Sequence, residues 1–205
     1  MNSQILVKAN SFIKNRLIEI SGILLALCSI FLLLSLASYS PSDPNFIYTP
    51  ENVKIKNIGG FYGSVVSDFL LQAIGLIAFF ISIKLLYWGI KLIIKKKITN
   101  FILKIFFTLI YIISGSTFIN IFHNESFWLI DNGNGGFVGR MLKENIYFFS
   151  NLIENQYVVF SLLFISIIFF ILSLGISLNE TKKIIFFPFK LILQTSNFFR
   201  KNNKE

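Results

Sequence analysis

The sequence predicts an all-α membrane protein with four transmembrane helices, and three observations predict it. Apolar residues make up 54% of the 205-residue chain and charged residues 14%. A soluble domain of this length has too little interior to hide that much apolar surface. Four stretches reach the ~20 mostly apolar residues that a span requires: 18–37, 69–90, 102–122 and 158–178. Lysine and arginine also gather at alternate turns between these stretches, as they do in multi-pass proteins. Backbone in hydrocarbon must bond to itself, so the spans are helices. Continuous apolar runs differ from the short alternating segments of a β-barrel.

The first span follows Lys8, Lys14 and Arg16, which place residues 1–17 in the cytoplasm. Its apolar run is long for a signal sequence, so it reads as an uncleaved anchor despite the small pair Ser35 and Ala37. Cys28 within it reads as a small buried hydrophobe. Gly22, Ala26, Ser29 and Ser35 offer small surfaces for close helix packing. The outer loop beyond begins Ser38-Tyr39-Ser40-Pro41-Ser42-Asp43-Pro44. Two prolines end the helix, and Asp43 is expected to cap the turn between them.

Residues 61–71 set Tyr62, Val65, Val66, Phe69 and Leu70 on one side, the pattern of a short helix in the outer interface. Asp68, beside Ser67, is read as polar-face or as a cap of the second span. Lys84 is the charge clearly inside a span. Tyr87 and Trp88 follow it and mark the inner interface, so its ammonium is expected to snorkel there. Lys91, Lys95, Lys96, Lys97 and Lys104 surround the turn into the third span, where Ser114, Gly115 and Ser116 form a second small cluster. Discontinuous helices are not evident, although Gly75 and Gly115 interrupt spans two and three.

The second outer loop carries His123 and Glu125, with no second histidine or cysteine at ligand spacing. Gly135-Gly136-Phe137-Val138-Gly139 then echoes Gly59-Gly60-Phe61-Tyr62-Gly63, with Asn134 and Asn57 upstream. Paired glycines suit tight turns with positive φ. The echo suggests a two-fold internal repeat of span, loop, glycine turn, short helix and span. In the second copy, Val138, Met141, Leu142, Ile146 and Phe149 oppose Arg140, Lys143 and Glu144. After the fourth span, residues 179–205 mix Ile, Phe and Lys as a basic juxtamembrane helix on the inner leaflet. The membrane domain is thus 18–178, flanked by two cytoplasmic segments.

The serine–proline–aspartate run resembles a signature of the FtsK/SpoIIIE DNA translocases. Its position directly after the first span is similar too. Ser38, Tyr39, Pro41, Asp43 and Pro44 carry the first part of the likeness; Gly59, Gly60, Gly63 and Asp68 carry the second. Gly135, Gly136 and Gly139 continue it, and the match corresponds to the family's four-span N-terminal membrane domain. The resemblance implies an anchor in the bacterial inner membrane, enriched at the division septum. It further implies association with division proteins, self-association, and roles in cell division and chromosome segregation. The family's motor hydrolyses ATP and pumps DNA, but no G-x-x-x-x-G-K-[ST] phosphate loop occurs in this chain. DNA contact would therefore need a motor domain this chain does not contain, either a missing continuation or a separate gene product.

No catalytic, cofactor-binding or metal-binding pattern stands out. A small four-helix transporter or channel is the main alternative, but its spans would need several polar groups along a path and offer mainly Lys84. A membrane enzyme using Asp43, Asp68, Glu125 or Asp131 at the outer face is a third reading. The topology is directly testable. A reporter fused after Glu205 is expected to be active in the cytoplasm, and one inserted within 45–52 is expected to be active outside.

Overall fold

The computed structural model describes residues 2–49, 54–123, 125, 129, 132–149 and 155–176. The basic tail expected over 179–205 lies outside the described residues, as do Asp131 and Glu154. The elements are α1 (Asn2–Ala37), α2 (Gly60–Ile74), a 3-10 turn (Gly75–Ile77), α3 (Ala78–Lys95), α4 (Phe101–Phe122), α5 (Gly136–Phe149) and α6 (Gln156–Leu174). All belong to one compact unit ending at Leu174. Among the described residues, four helical stretches are long and apolar enough to cross a membrane, counting α2 to α3 as one.

Helix α1 begins at Asn2 and runs without a break through the first apolar stretch. It ends where Ser38 N–H still reaches Leu34 O at 3.0 Å and the prolines follow. Helix α3 stops at Lys96, which adopts a left-handed φ of 53° and returns its N–H to Leu92 O at 3.0 Å. Asn100, also left-handed at φ 50°, opens α4 and accepts the Lys104 N–H at 3.1 Å. Asparagine tolerates that conformation better than most residues.

Helix α1 packs chiefly against α3, and α4 against α6. The α1–α3 contact runs through small residues. A Cβ on Gly22 would lie 2.8 Å from Gly89 O, and one on Gly89 would lie 2.8 Å from Ala26 N. One turn on, Ser29 Oγ donates to Ser82 O at 2.6 Å. Close approach of backbones replaces the hydrophobic drive that lipid does not supply. The α4–α6 contact uses the second small cluster: a Cβ on Gly115 would lie 2.6 Å from Ser166 Oγ, which donates to Tyr111 O at 3.1 Å. Trp88 ties α3 to the end of α6 by an indole bond to Ser173 O at 3.2 Å. Large side chains such as Leu24, Leu27, Ile30 and Leu34 of α1 face outward. Cys28 does the same. The reading of Cys28 as buried is therefore corrected: its side of α1 is the one turned away from α3.

The second apolar stretch departs from expectation. It is not one helix from 69 to 90 but breaks at Gly75, whose φ is 63°. Helix α2 starts against the end of α1, where Ser35 crowds Gly63, and finishes against α4, where Ser116 Oγ donates to Ile74 O at 2.9 Å. Its 15 residues therefore bridge the ends of two spans, over roughly 22 Å at 1.5 Å per residue. The chain then turns and runs back along α1 as α3.

Replacing Gly89 by leucine should push α1 and α3 apart. Overpacking of this kind costs about 1–3 kcal/mol. We expect a lower unfolding midpoint in detergent for Gly89→Leu than for Gly89→Ala, and near-normal stability for an outward change such as Leu27→Ile.

Candidate functional site

The polar residues singled out in the sequence converge at one end of the helices, in two clusters built on Asn57 and Asn134. In the first, Asp43 is 3% exposed. It accepts the backbone N–H of Lys56 at 3.0 Å and of Asn57 at 2.8 Å. Two N–H donors directed at one carboxylate are charge-assisted and stronger than neutral bonds. Asp43 therefore does more than the local turn expected of it; it clamps the return strand of the loop. Asn57 is the hub: its Nδ2 donates to Ser35 O at 2.8 Å and to Ser67 Oγ at 3.2 Å, while its Oδ1 accepts the Gly59 N–H at 2.9 Å.

The motif residues surround that hub. Ser38 Oγ donates to Leu34 O at 2.7 Å and accepts the Ile58 N–H at 2.9 Å. Tyr39 OH donates to Asp68 Oδ1 at 3.0 Å, tying the end of α1 to α2. Pro44 O accepts from Ser64 Oγ at 2.5 Å. Pro41 is exposed in the turn closed by Asp43 N–H to Ser40 O at 3.1 Å. Gly60 opens α2 with φ 62°. A Cβ on Gly59 would meet Ser35 Oγ at 2.5 Å, and one on Gly63 would meet Asn57 Oδ1 at 2.4 Å. Nothing larger than glycine fits at either position.

The second cluster seals the break in the second apolar stretch. Asn134 Nδ2 donates to His123 O at 3.1 Å and Glu125 O at 3.0 Å, and Asn134 O accepts the Leu76 N–H at 2.9 Å. Gly136 opens α5 with φ 66°. A Cβ there would lie 2.4 Å from Gly75 N, while one on Gly75 would lie 2.0 Å from Asn134 O. Gly135 and Gly139 press on Ser116 O of α4, where a Cβ would come to 2.5 and 2.3 Å. Asn132 Nδ2 adds a 3.0 Å bond to Gln72 Oε1 of α2. The His123 side chain is exposed, and its backbone is what joins this network.

Sequence reading grouped the glycines and aspartates but missed the hubs. Asn57 and Asn134 were visible as asparagines ahead of glycine pairs. Ser35, Ser67 and Ser116 were visible only as small or capping residues; their bonds with Asn57 Nδ2 and Ile74 O join segments distant in sequence. Asp43 and Asp68 also part company: Asp43 is interior, so it offers nothing to an outside partner, whereas Asp68 is half-buried.

Lys84 is corrected as well. It is 4% exposed and does not snorkel. Its ammonium donates to Thr108 Oγ1 and to Lys104 O at 3.4 Å, and lies 4.1 Å from the centroid of the Trp88 ring. A lysine held between α3 and α4 in this way is a tie between helices. Where the middle of α1 passes the C-terminal end of α3, Glu19 accepts from Arg16 at 2.6 Å and from Lys96 at 2.8 Å.

The clamp on the first loop can be tested by one atom pair. Asp43→Asn keeps the shape but removes the charge and turns an NH2 toward an N–H. Hydrogen bonds to charged groups contribute about 1.5–3 kcal/mol each. We expect a clearly lower unfolding midpoint and proteolysis within residues 38–59, and a smaller effect for Tyr39→Phe.

Comparison with known proteins follows the same outline. The profile described as the 4TM region of DNA translocase FtsK/SpoIIIE matches residues 14–183. Over 194 residues the chain is 27% identical to the DNA translocase FtsK of Rickettsia typhi, covering 95% of this chain and 25% of that protein. It is 30% identical over 91 residues to the DNA translocase FtsK of Azospirillum brasilense, covering 44% of this chain and 14% of that protein. The FtsK of Rickettsia bellii is 25% identical over 160 residues, covering 78% and 20%. The chain thus spans a quarter or less of the length of these relatives. No solved structure matches it. By its four apolar helices and the profile match across most of its length, the chain belongs to the family of the membrane region of the FtsK/SpoIIIE DNA translocases.

Proposed function

We propose that this chain is the membrane anchor and division-protein interaction region of an FtsK-like DNA translocase. The observation that carries the reading is the match of residues 14–183 to the translocase's four-span region. The motor that moves DNA is then carried outside these residues, and the chain itself performs no catalysis. Its partners are the bilayer, other division proteins and further copies of itself; DNA is reached through the motor.

In this reading both termini are cytoplasmic, and the Asn57 and Asn134 clusters face outward. The distribution of Lys and Arg supports that orientation. The division into 1–17, 18–178 and 179–205 is kept, with α2 and α5 lying in the outer interface. We also read α1–α2–α3 and α4–α5–α6 as a parallel two-fold repeat. Support comes from Gly60 and Gly136, which open their helices with φ of 62° and 66°, and from the pairing of α1 with α3 and of α4 with α6. Gly63 and Gly139 likewise press on a serine of the preceding span, Ser35 and Ser116. Ser38, Tyr39, Pro41, Asp43, Pro44, Asp68 and the six motif glycines then serve to hold the outer surface in shape.

The test is localisation of residues 1–205 with a fluorescent tag in dividing cells. A band at mid-cell that forms with constriction is expected. An even halo around the envelope would remove the septal role from this region and leave the four-span architecture standing.

A further inference from the structure

The first outer loop carries an apolar finger that the other described residues do not cover. Phe46, Ile47 and Tyr48 are 78%, 97% and 53% exposed. The finger is nevertheless fixed in shape. Asn45 Oδ1 accepts the Ile47 N–H at 2.8 Å and the Tyr48 N–H at 2.7 Å, and Asn45 N–H donates to Tyr48 O at 2.8 Å. Its base is anchored by the Ser64 bond to Pro44 O and by the buried Asp43 carboxylate. The Ser64 bond sets the finger beside the first turn of α2, where Phe61 and Tyr62 are 45% and 78% exposed.

Most other exposed large hydrophobics lie on the long helices, where lipid tails cover them. The finger lies beyond the end of α1, so its covering has to be identified separately. Reach decides the depth. Asp43 is held over Ser35 in the last turns of α1 through Asn57. From Asp43 to Ile47 the chain could extend at most about 14 Å, at ~3.5 Å per residue. The reversal at Asn45 shortens this to roughly half, comparable to the ~5–8 Å of interfacial layer on each side of the hydrocarbon core. That reach keeps the finger within the thickness of the headgroup layer next to the end of α1. Its chemistry fits that layer: two apolar side chains, a tyrosine with a polar tip, and the exposed Lys54 and Lys56 on the returning strand. Lysines beside apolar side chains are complementary to anionic lipid.

We propose that Phe46, Ile47 and Tyr48 insert into the lipid interface as a second, shallow anchor, with Lys54 and Lys56 against anionic headgroups. This rests on the membrane reading of α1. It does not depend on which side of the membrane the loop occupies or on any septal role.

The test uses chain 1–205 in vesicles of phosphatidylethanolamine and phosphatidylglycerol. A polarity-sensitive fluorophore is placed on Ile47→Cys in a Cys28→Ala background, with Lys54→Cys as a reference in the same loop. The expected result is blue-shifted emission at position 47, quenched severalfold more by lipids spin-labelled near the headgroup than by aqueous iodide, with Lys54 showing a weaker preference for lipid. Iodide quenching at position 47 as strong as that of the free fluorophore in buffer, with unshifted emission, would overturn the proposal, as it would leave the finger in water. Shielding of position 47 from both quenchers would also overturn it, because a second copy rather than lipid would then cover the finger.

Discussion

Every departure from helix near hydrocarbon leaves backbone N–H and C=O groups that water cannot satisfy, and this constraint organises the protein. Each unsatisfied group there costs several kcal/mol. Among the described residues, two such departures are the loop after α1 and the break at Gly75 between α2 and α3. Each is sealed by polar groups from elsewhere in the chain. Asp43 and Asn57 take up the returning strand of the first loop, and Asn134 O and Ser116 Oγ take up Leu76 N–H and Ile74 O at the break. The glycines follow from the seals. At Gly63 and Gly75 a side chain would occupy space held by Asn57 Oδ1 and Asn134 O, and at Gly136 and Gly139 it would strike the backbone of Gly75 and Ser116.

The same seals join the α1–α3 pair to the α4–α6 pair. Within each pair the contact is made through small residues. Helix α2 crosses from the end of α1 to the end of α4, and the second glycine turn closes over its C-terminus. The Trp88 bond to Ser173 O adds a tie along the spans. The bonds of Asn57, Ser116 and Tyr39 tie α1, α2 and α4 together at one end through a layer of polar groups.

The spans and helical class were legible because length and hydropathy in lipid leave few alternatives. The motif glycines were legible as turn formers, and the small residues of α1 as a packing face. What stayed hidden depends on partners distant in sequence. Gly75 breaks its helix because Asn134 O approaches it, and no local pattern announces that approach. Asp43 reads locally as a turn residue, yet its carboxylate is used by Lys56 and Asn57. Lys84 has an interfacial tyrosine and tryptophan as neighbours, which suggested snorkelling; Thr108 on the facing helix holds it inside. Cys28 faces away from α3 because Ser29 and Ala26 occupy the contact.

Hydrogen–deuterium exchange on the reconstituted chain tests the sealing of the two breaks most directly. The account expects the amides of Lys56, Asn57 and Leu76, which lie outside regular helix, to exchange as slowly as amides in the middle of α3. Exchange of these three at the rate of unprotected amides would contradict it, since the loops would then be open to water and the glycine turns would have no sealing role.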